Sequence, residues 1–352
     1  MKKSDVIKKC QNCGGNIIFS PLFQCLLCEN CGTKTSIEFD KDYSKHAYIK
    51  DFNEIDTKEL SRTHKDINCQ NCGALVDIKD LQISKKCPYC DAPVVLDVFN
   101  EEVKPDAIIP FKFDKKQASL NFVTGIKHKW FLPNKFKKSP PLDTIEAFYF
   151  PAFAFDEKTR SVYSGILEYD EVNRDSEGRT YITVHTQPIS GNYNYDYTDV
   201  LIECSSKLIQ SQIFGVEPYY MSESIAFQQD FLRGYEVESY NTRLSDCKVM
   251  ADDIIDSSIK RSILSRYTFT RVVSFNVQTS RIDEKYHYTI LPIYKFNYNY
   301  AGKNYITYMN GQTGKVDNNL PKSKVKITFF VLGILLIIVG IVVLSMLFGD
   351  YK

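Results

Sequence analysis

The chain falls into three stretches that differ in how hydrophobic and polar residues alternate. Up to about residue 98, short hydrophobic runs are interrupted by pairs of cysteines. From Pro105 to about Pro321 the runs are short, alternating and dense in Tyr and Phe, which is typical of β-strands. From Ile327 to Phe348 no charged residue occurs. This order predicts a multidomain chain with small N-terminal units, a β-rich centre and one apolar C-terminal helix.

Two segments of the central stretch have helical rather than strand periodicity. Lys115 to Trp130 follows Asp114, which can cap a helix N-terminus. Asp246 to Tyr267 follows Ser245 and places its aliphatic residues largely on one side, namely Val249, Ile254, Ile255, Ile259, Ile263 and Leu264. We therefore expect a central α+β domain, residues 99–321, built mainly on antiparallel sheet.

Two aromatic stretches of this domain resemble each other. Tyr149 to Phe155 and Ile290 to Phe296 each contain a proline and each lead through a turn to another aromatic run. The likeness indicates an internal duplication of a strand unit.

The apolar stretch at 327–348 predicts a transmembrane helix. It has 22 residues and would be about 33 Å long, enough to span a bilayer, whereas buried core helices are shorter. The basic juxtamembrane segment 322–326 precedes it, and the tail 349–352 follows. The N-terminus lacks the apolar run of a secretory signal. By the positive-inside rule we expect a single-pass protein of the cytoplasmic membrane with a cytoplasmic N-terminus and a short external tail.

Nine of the eleven cysteines precede residue 91, and eight of them form a repeated unit, C-x2-C-x14-C-x2-C. Thiols stay reduced in the cytosol, so this spacing favours metal sites over disulfides. Four thiolates around one ion leave no open coordination position, which predicts two structural Zn²⁺ sites, with iron–sulfur clusters as the alternative. The proposed ligands are Cys10, Cys13, Cys28 and Cys31 (group one) and Cys69, Cys72, Cys87 and Cys90 (group two).

These units predict a zinc ribbon at 1–40, a polar linker at 41–63 and a second ribbon at 64–98. Cys25 forms a further C-x2-C pair with Cys28, but the repeat aligns Cys28 and Cys31 with the second unit, so Cys25 is interpreted as a spare. Cys204 and Cys247 have no partner at ligand spacing and are expected to be small buried residues.

Charge gives little support to nucleic-acid binding. The formal net charge is +1, and residues 1–98 contain equal numbers of basic and acidic residues. One basic and aromatic cluster could contact anionic lipid or single-stranded nucleic acid, and the nearby span favours lipid; the plainer interpretation is a solvated lysine face. Its candidate contact residues are Lys127, Lys129, Trp130, Lys135, Lys137 and Lys138.

The sequence contains no H-E-x-x-H, G-x-S-x-G or dinucleotide-binding glycine pattern, which are local signatures of catalysis. Asn310 to Val316 resembles a phosphate loop, but its spacing is wrong, and it predicts a hairpin turn. The five histidines stand apart from one another. We therefore expect no enzymatic activity and no small-molecule substrate.

Six stretches of the chain together match the pattern of a known family: Cys10–Asn16, Ile109–Lys115, Tyr149–Asp156, Phe231–Tyr240, Leu291–Tyr294 and Tyr308–Val316. Through them the chain resembles the bacterial membrane-tethered proteins with TFIIB-type zinc ribbons, found mainly in Gram-positive bacteria. It departs from the family pattern in the extra Cys25 and in lacking a proline in the pairs of group one.

This resemblance implies no established enzymatic activity. Some members of the family resemble proteins encoded beside phage-shock-protein-A-like and flotillin-like genes, which implies a role in envelope stress. We therefore expect a non-enzymatic adaptor or scaffold that binds a protein partner at the cytoplasmic face of the membrane. The alternatives are a membrane-tethered nucleic-acid-binding or regulatory protein and a thiol or zinc stress sensor.

Overall fold

The structure is a computed structural model that describes residues 9–48, 65–69, 71–78, 82–95, 104–205, 208–238 and 240–348. Most of the linker predicted at 41–63, and the whole tail predicted at 349–352, lie outside the described residues. The described chain forms sheets of three, two and ten strands. It also has five α-helices.

The N-terminal cysteine units fold as short antiparallel strands. β1 (Ile17–Ser20), β2 (Cys25–Cys28) and β3 (Lys34–Thr35) form the three-stranded sheet, in which Ile17 lies opposite Cys28. β5 (Lys65–Asn68) and β6 (Leu75–Ile78) form the two-stranded sheet. Both units are too small to bury a large core of their own.

The ten-stranded sheet contains strands from almost the whole described chain. The strands are β4 (His46–Ala47), β7 (Gln82–Lys86), β8 (Pro93–Val95), β9 (Ala107–Ile108), β10 (Leu142–Arg174), β11 (Thr180–Glu203), β12 (Ile225–Ala226), β13 (Glu236–Glu238), β14 (Arg271–Tyr300) and β15 (Lys303–Asn310). Their main order in the sheet is β12-β9-β14-β10-β13-β7-β8, with β11 beside β10 and with β15 and β4 beside β14.

The sheet is mainly antiparallel, as the central stretch predicts, but it is mixed. β13 runs parallel to β10, and β9 runs parallel to β14. β4, β7 and β8 come from the region before residue 99, so the sheet includes residues on both sides of the boundary predicted there.

The two aromatic stretches that resemble each other are neighbours in this sheet. β10 and β14 pair along most of their length, and Phe150 lies opposite Leu291 while Pro151 lies opposite Ile290. A proline lacks the N–H that a strand normally donates, yet each stretch keeps one at its centre. Two strands of similar sequence thus lie side by side at the middle of the molecule.

Alternate side chains of β14 enter different cores, because successive residues of a strand point to opposite faces. Tyr294, Phe296 and Tyr298 belong to the larger core together with residues of the helices α1 (Lys115–Lys127) and α2 (Asn134–Lys138). Leu291 and Ile293 belong to a second core, which also contains residues of α3 (Gln210–Val216).

Beyond the two cores, the outer halves of β10, β11 and β14 form a long arm. One face of the arm is covered by α4 (Leu244–Leu264), whose Ile255, Ile259 and Ile263 are fully buried against Tyr163 and Leu167. The spacing of four residues puts these isoleucines on one helical face. Val249 lies about 120° round the helix from Ile255 and is exposed, unlike the expectation for the aliphatic side.

The helix starts test the capping predictions. Asp114 caps α1 as expected, since its side chain accepts a hydrogen bond of 2.7 Å from the N–H of Gln117. α4 begins at Leu244, two residues before the start expected from the sequence, with Arg243 in the cap position and no side-chain cap. The buried isoleucines, and not a cap, therefore fix this helix.

The last element is α5 (Lys324–Phe348), which contains the whole predicted span. It is the one described helix that is long and apolar enough to cross a membrane. The residues of its most apolar window are exposed rather than packed inside the protein.

Candidate metal centres

Group one is assembled at one end of the three-stranded sheet. Cys10 and Cys13 precede β1, Cys28 ends β2, and Cys31 lies in the turn before β3. The Sγ atoms of Cys10 and Cys31 are 3.6 Å apart, and those of Cys13 and Cys28 are 3.5 Å apart. All four sulfurs lie within 4.8 Å of one another. The structure thus brings the four predicted ligands together.

Group two repeats this arrangement. The Sγ atoms of Cys69 and Cys90 are 3.6 Å apart, and those of Cys72 and Cys87 are 3.8 Å apart. All four again lie within 4.8 Å of one another. In each group the first and third cysteines are buried.

Every cysteine pair closes a turn of the same shape. The carbonyl oxygen of the first cysteine accepts a hydrogen bond of 2.7 to 3.0 Å from the backbone N–H four residues later. The residues that donate have φ between 54° and 74°, and they are Gly14, Gly32, Gly73 and Asp91. Glycine adopts this conformation without a steric penalty, and Asp is among the few other residues that tolerate it. The glycines of the repeat are therefore explained by backbone shape.

The donor set fits a metal ion. Four bonds of about 2.3 Å from a tetrahedral ion to sulfur would separate the sulfurs by about 3.8 Å, close to the spacings in both groups. Such a set would be complete without water or substrate. Each group could therefore hold a metal ion in a closed, structural site.

The thiols of each group differ in how readily they ionise. The Thr33 side chain and its backbone N–H lower the pKa of Cys31 to about 6. The side chain of Asn71 and the backbone N–H of Ala92 do the same for the pKa of Cys90. The Gly15 amide favours the Cys13 thiolate, but the neighbouring sulfurs of Cys31 and Cys28 raise the pKa of Cys13 to about 11. A bound cation would remove this repulsion between thiolates.

The three remaining cysteines lie outside both groups. Cys25 is buried in β2 opposite Ser20. Cys204 and Cys247 are fully buried, and burial raises the pKa of Cys247 to about 12. A buried thiol with a raised pKa is unreactive, which agrees with their interpretation as small hydrophobic residues.

Group one is joined to the core of the large sheet. The N–H of Phe19 donates to the Arg233 carbonyl oxygen at 3.0 Å, and its ring lies 4.9 Å from that of Phe231. The Gln24 side chain donates to the carbonyl oxygen of Phe111 at 2.8 Å. Cys10 and Cys28 themselves belong to the larger core.

Group two is joined differently. Its small core contains Cys69, Val76, Cys87, Ala92 and Val94 and is separate from the two cores of the sheet. The connection to the sheet runs through β7, which pairs with β13.

The basic and aromatic cluster lies around the ends of α1 and α2. The ammonium group of Lys129 donates to the carbonyl oxygens of Val316 and Asp317 and to the Asn318 side chain. The ammonium group of Lys137 donates to the carbonyl oxygen of Lys127 at 3.1 Å. Lys127, Trp130, Lys135 and Lys138 are exposed. Two of the six candidate contacts are thus engaged inside the protein, and four face outward.

The structure also contains a buried ionic network that the sequence does not reveal. Glu157, Asp252 and Glu284 could by geometry hold a metal ion. However, the ammonium group of Lys248 lies 2.6 to 2.8 Å from all three carboxylates, and Arg281 contacts two of them. Burial opposes the charge of Lys248, but these hydrogen bonds raise its pKa. Lys248 and Arg281 thus already bring two positive charges to these three carboxylates. Because Lys248 lies on α4 while Glu157 and Glu284 lie on β10 and β14, the network ties α4 to the sheet.

A second feature that the sequence does not reveal is the buried His287 in β14. Neither ring nitrogen has a hydrogen-bond partner among the described residues. Burial, and after it the charge of Lys45, lowers the pKa of His287 to about 4. No spacing to another residue marks this histidine in the sequence, because only the packing of the sheet removes it from water.

The chain is similar over most of its length to a Bacillus subtilis (strain 168) protein described as uncharacterized protein YdjG. The two are 28% identical over 335 residues, which is 93% of each chain. No protein-family model and no solved structure matches the chain. The description of the similar protein names no activity, ligand or partner, so this likeness says nothing about function.

Proposed function

We propose that the chain is a non-enzymatic, zinc-binding membrane protein that presents two zinc ribbons and a sheet domain to a protein partner at the cytoplasmic face. α5 anchors it in the membrane. The resemblance to membrane-tethered zinc-ribbon proteins extends the proposal to an adaptor role in envelope stress.

The exposure of α5 carries this proposal. A helix of this length and composition that packed into a soluble domain would bury one side, whereas the apolar window of α5 is not buried. Water would be a poor environment for that surface, and a bilayer would be a suitable one. The lysines at 322, 324 and 326 favour a cytoplasmic position for the preceding domain.

Zinc is the ion that best suits both cysteine groups. Four sulfurs at the spacings found here suit a tetrahedral ion with no preference for an open position. Residues 10–13 and 28–31 then form the two knuckles of the first ribbon, and residues 69–72 and 87–90 form those of the second.

Apolar side chains on both cysteine units support a protein partner. Leu22 and Phe23 lie in the turn between β1 and β2, and Leu22 is 67% exposed. In the second cysteine unit, Leu75 follows the first cysteine pair and is exposed. Tyr89, which lies between Cys87 and Cys90, is 72% exposed. Exposed apolar groups of this kind are typical of interaction surfaces when several occur together.

Metal analysis of the full chain, purified in detergent under reducing conditions, tests the zinc assignment. We expect two zinc ions per chain and no visible absorption band. Iron with sulfide and a visible band would replace zinc by iron–sulfur clusters.

Photo-crosslinking in native membranes tests the adaptor role. A photoreactive phenylalanine analogue at Tyr89 or Leu22 should trap one discrete protein. The matched control carries the analogue at Tyr181, which is exposed near the tip of the long arm. Equal patterns at all three positions, or no adduct at Tyr89 and Leu22, would contradict the proposal.

A further inference from the structure

α5 is fastened to the domain at its first turn. The N–H of Ser323 donates to the Phe131 carbonyl oxygen at 2.7 Å. The Lys326 ammonium group donates to the carbonyl oxygens of Trp130 and Leu132 at 3.1 and 2.9 Å. It also donates to the Asn134 side chain at 2.6 Å. The start of α5 is therefore held against the connection between α1 and α2 by hydrogen bonds.

Three aromatic rings complete this joint, which we call the aromatic seat (Trp130, Phe131 and Phe330). The Phe330 ring centroid lies 5.8 Å from that of Trp130 and 5.3 Å from that of Phe131, both edge to face. Trp130 remains 54% exposed and Phe330 45% exposed. The seat thus has an open apolar side beside the start of the apolar helix.

The position of Phe330 along α5 determines how deep the aromatic seat would lie in a membrane. Phe330 lies six residues after Lys324, about 9 Å along the helix axis. This is where α5 passes from its lysines to its uncharged stretch. Tryptophan is enriched at that level of membrane proteins, because its ring is amphipathic.

Positive charge surrounds the seat. Lys127 ends α1, Lys135 and Lys138 lie in α2, and all three are exposed. Lys322 and Lys324 are exposed at the start of α5. Juxtamembrane lysines of this kind are attracted to anionic lipid.

We propose that the aromatic seat enters the headgroup region of an anionic bilayer, with these five lysines on the lipid phosphates. The domain is then held in one orientation, with the connection between α1 and α2 against the membrane. This inference rests on the proposed anchoring by α5 and adds a second membrane contact, made by the domain itself.

The fluorescence of Trp130 tests the proposal, because it is the one tryptophan of the chain. The full chain is reconstituted into vesicles of equal parts phosphatidylcholine and phosphatidylglycerol. We expect blue-shifted emission, weak quenching by iodide, and stronger quenching by lipids brominated near the headgroup than by lipids brominated at the acyl end. Emission quenched by iodide and untouched by both brominated lipids would overturn the proposal.

A matched control moves the probe. In the double variant Trp130→Phe, Tyr181→Trp, the tryptophan reports the arm, and we expect no quenching by either brominated lipid. If the tryptophan at position 181 were quenched as strongly as Trp130, the domain would contact the vesicle nonspecifically, and the single orientation would be overturned.

Charge variants test the lysines. Lys135→Glu, Lys138→Glu should reduce the lipid quenching of Trp130 at least twofold in the anionic vesicles and little in pure phosphatidylcholine. Lys260→Glu, on an exposed position of α4, is the control and should change neither. Equal effects of both charge changes would contradict a local lysine contact.

Two further measurements separate this inference from its basis. If the protein resists alkaline extraction from the vesicles while Trp130 stays in water, the result supports anchoring by α5 and overturns the proposed membrane contact of the aromatic seat. If it is extracted, the anchor itself fails. Saturable quenching of Trp130 by a single-stranded oligonucleotide, without lipid, would assign the cluster to nucleic acid.

Discussion

The two cysteine groups have nearly the same local geometry but opposite relations to the rest of the molecule. In group one, Cys10 and Cys28 belong to the core of the large sheet. In group two, Cys69 and Cys87 belong to a small separate core, and a strand joins the unit to the edge of the sheet. The comparison teaches that a repeated motif can support the main core in one copy and be peripheral in the other.

The difference comes from the side chains that pack on the strands after the first cysteine pair of each unit. Phe19 of group one contacts Phe231, and the Phe39 ring also lies against Phe231. Ile17 of the first unit also belongs to the core of the large sheet, whereas Val76, which aligns with it in the repeat, belongs to the small core of its own unit. A metal ion in group one would therefore support the domain, while one in group two would support a surface unit.

Removing one ligand from each group gives the largest expected contrast. Cys28→Ser should cost one metal and either unfold the central domain or lower its Tm by more than about 10 °C. Structural zinc can contribute about 10 kcal/mol or more, which is comparable to the whole stability of a domain. Cys87→Ser should also cost one metal but shift the main transition by less than about 3 °C, because its core is separate.

Calorimetry and metal analysis of the detergent-solubilised chain check this pair. Cys10→Ser repeats the test at a second buried ligand of group one. Equal shifts for the two groups would break the comparison.

A packing change tests the same contrast without touching a ligand. Phe19→Ala should lower the free energy of unfolding of the domain by about 3 to 5 kcal/mol, since a fully buried ring is lost. Leu22→Ala, exposed in the adjacent turn, should stay within about 0.5 kcal/mol. Denaturant titration measures both. A Phe19 variant as stable as the Leu22 variant would show that group one is not part of the core.

Acid is expected to destabilise the large sheet at His287, which lies outside both cysteine groups. The pKa of His287 is lowered from 6.5 to about 4, so the unfolded chain binds a proton that the folded chain does not. Its neutral form contributes stability above pH 6.5, and that contribution, up to about 3 kcal/mol, is lost as the pH falls from 6.5 to 4.

His287→Gln should therefore flatten the fall in stability across that window. The midpoint of unfolding at each pH measures the slope, and metal release from group two should follow the same pH course in both proteins. An unchanged slope would show that His287 does not titrate in this way.

The smallest effect is expected at Cys25. Cys25→Ser should leave the metal content unchanged at two ions, because the thiol lies opposite Ser20 and outside group one. A loss of one ion would make Cys25 a ligand. A loss of peroxide-induced metal release in this variant, with metal content unchanged, would instead support a thiol sensor.

The sequence predicts what depends on local spacing. The C-x2-C repeat identifies the eight sulfurs that meet, Asp114 marks a helix start, and an uninterrupted apolar run identifies α5. Each of these signals lies within a short stretch of the sequence. The β-rich centre and its two longer helices follow from local patterns as well.

The sequence does not predict what depends on contacts between distant segments. Nothing near Phe19 indicates that Phe231 covers it, and nothing near Lys248 indicates the carboxylates of Glu157 and Glu284. The start of α4 at Leu244 likewise follows from packing on the arm and not from Ser245. These features need the fold before they can be seen.

The pairing of β10 with β14 has a consequence for how the chain folds. Phe150 finds Leu291, and Phe19 finds Phe231, only after most of the polypeptide has been synthesised. Contacts so distant along the chain make folding slow, since long loops must close first. On the ribosome, the first cysteine unit must therefore wait for the segment from Phe231 to Tyr235 before its own hydrophobic side can be covered.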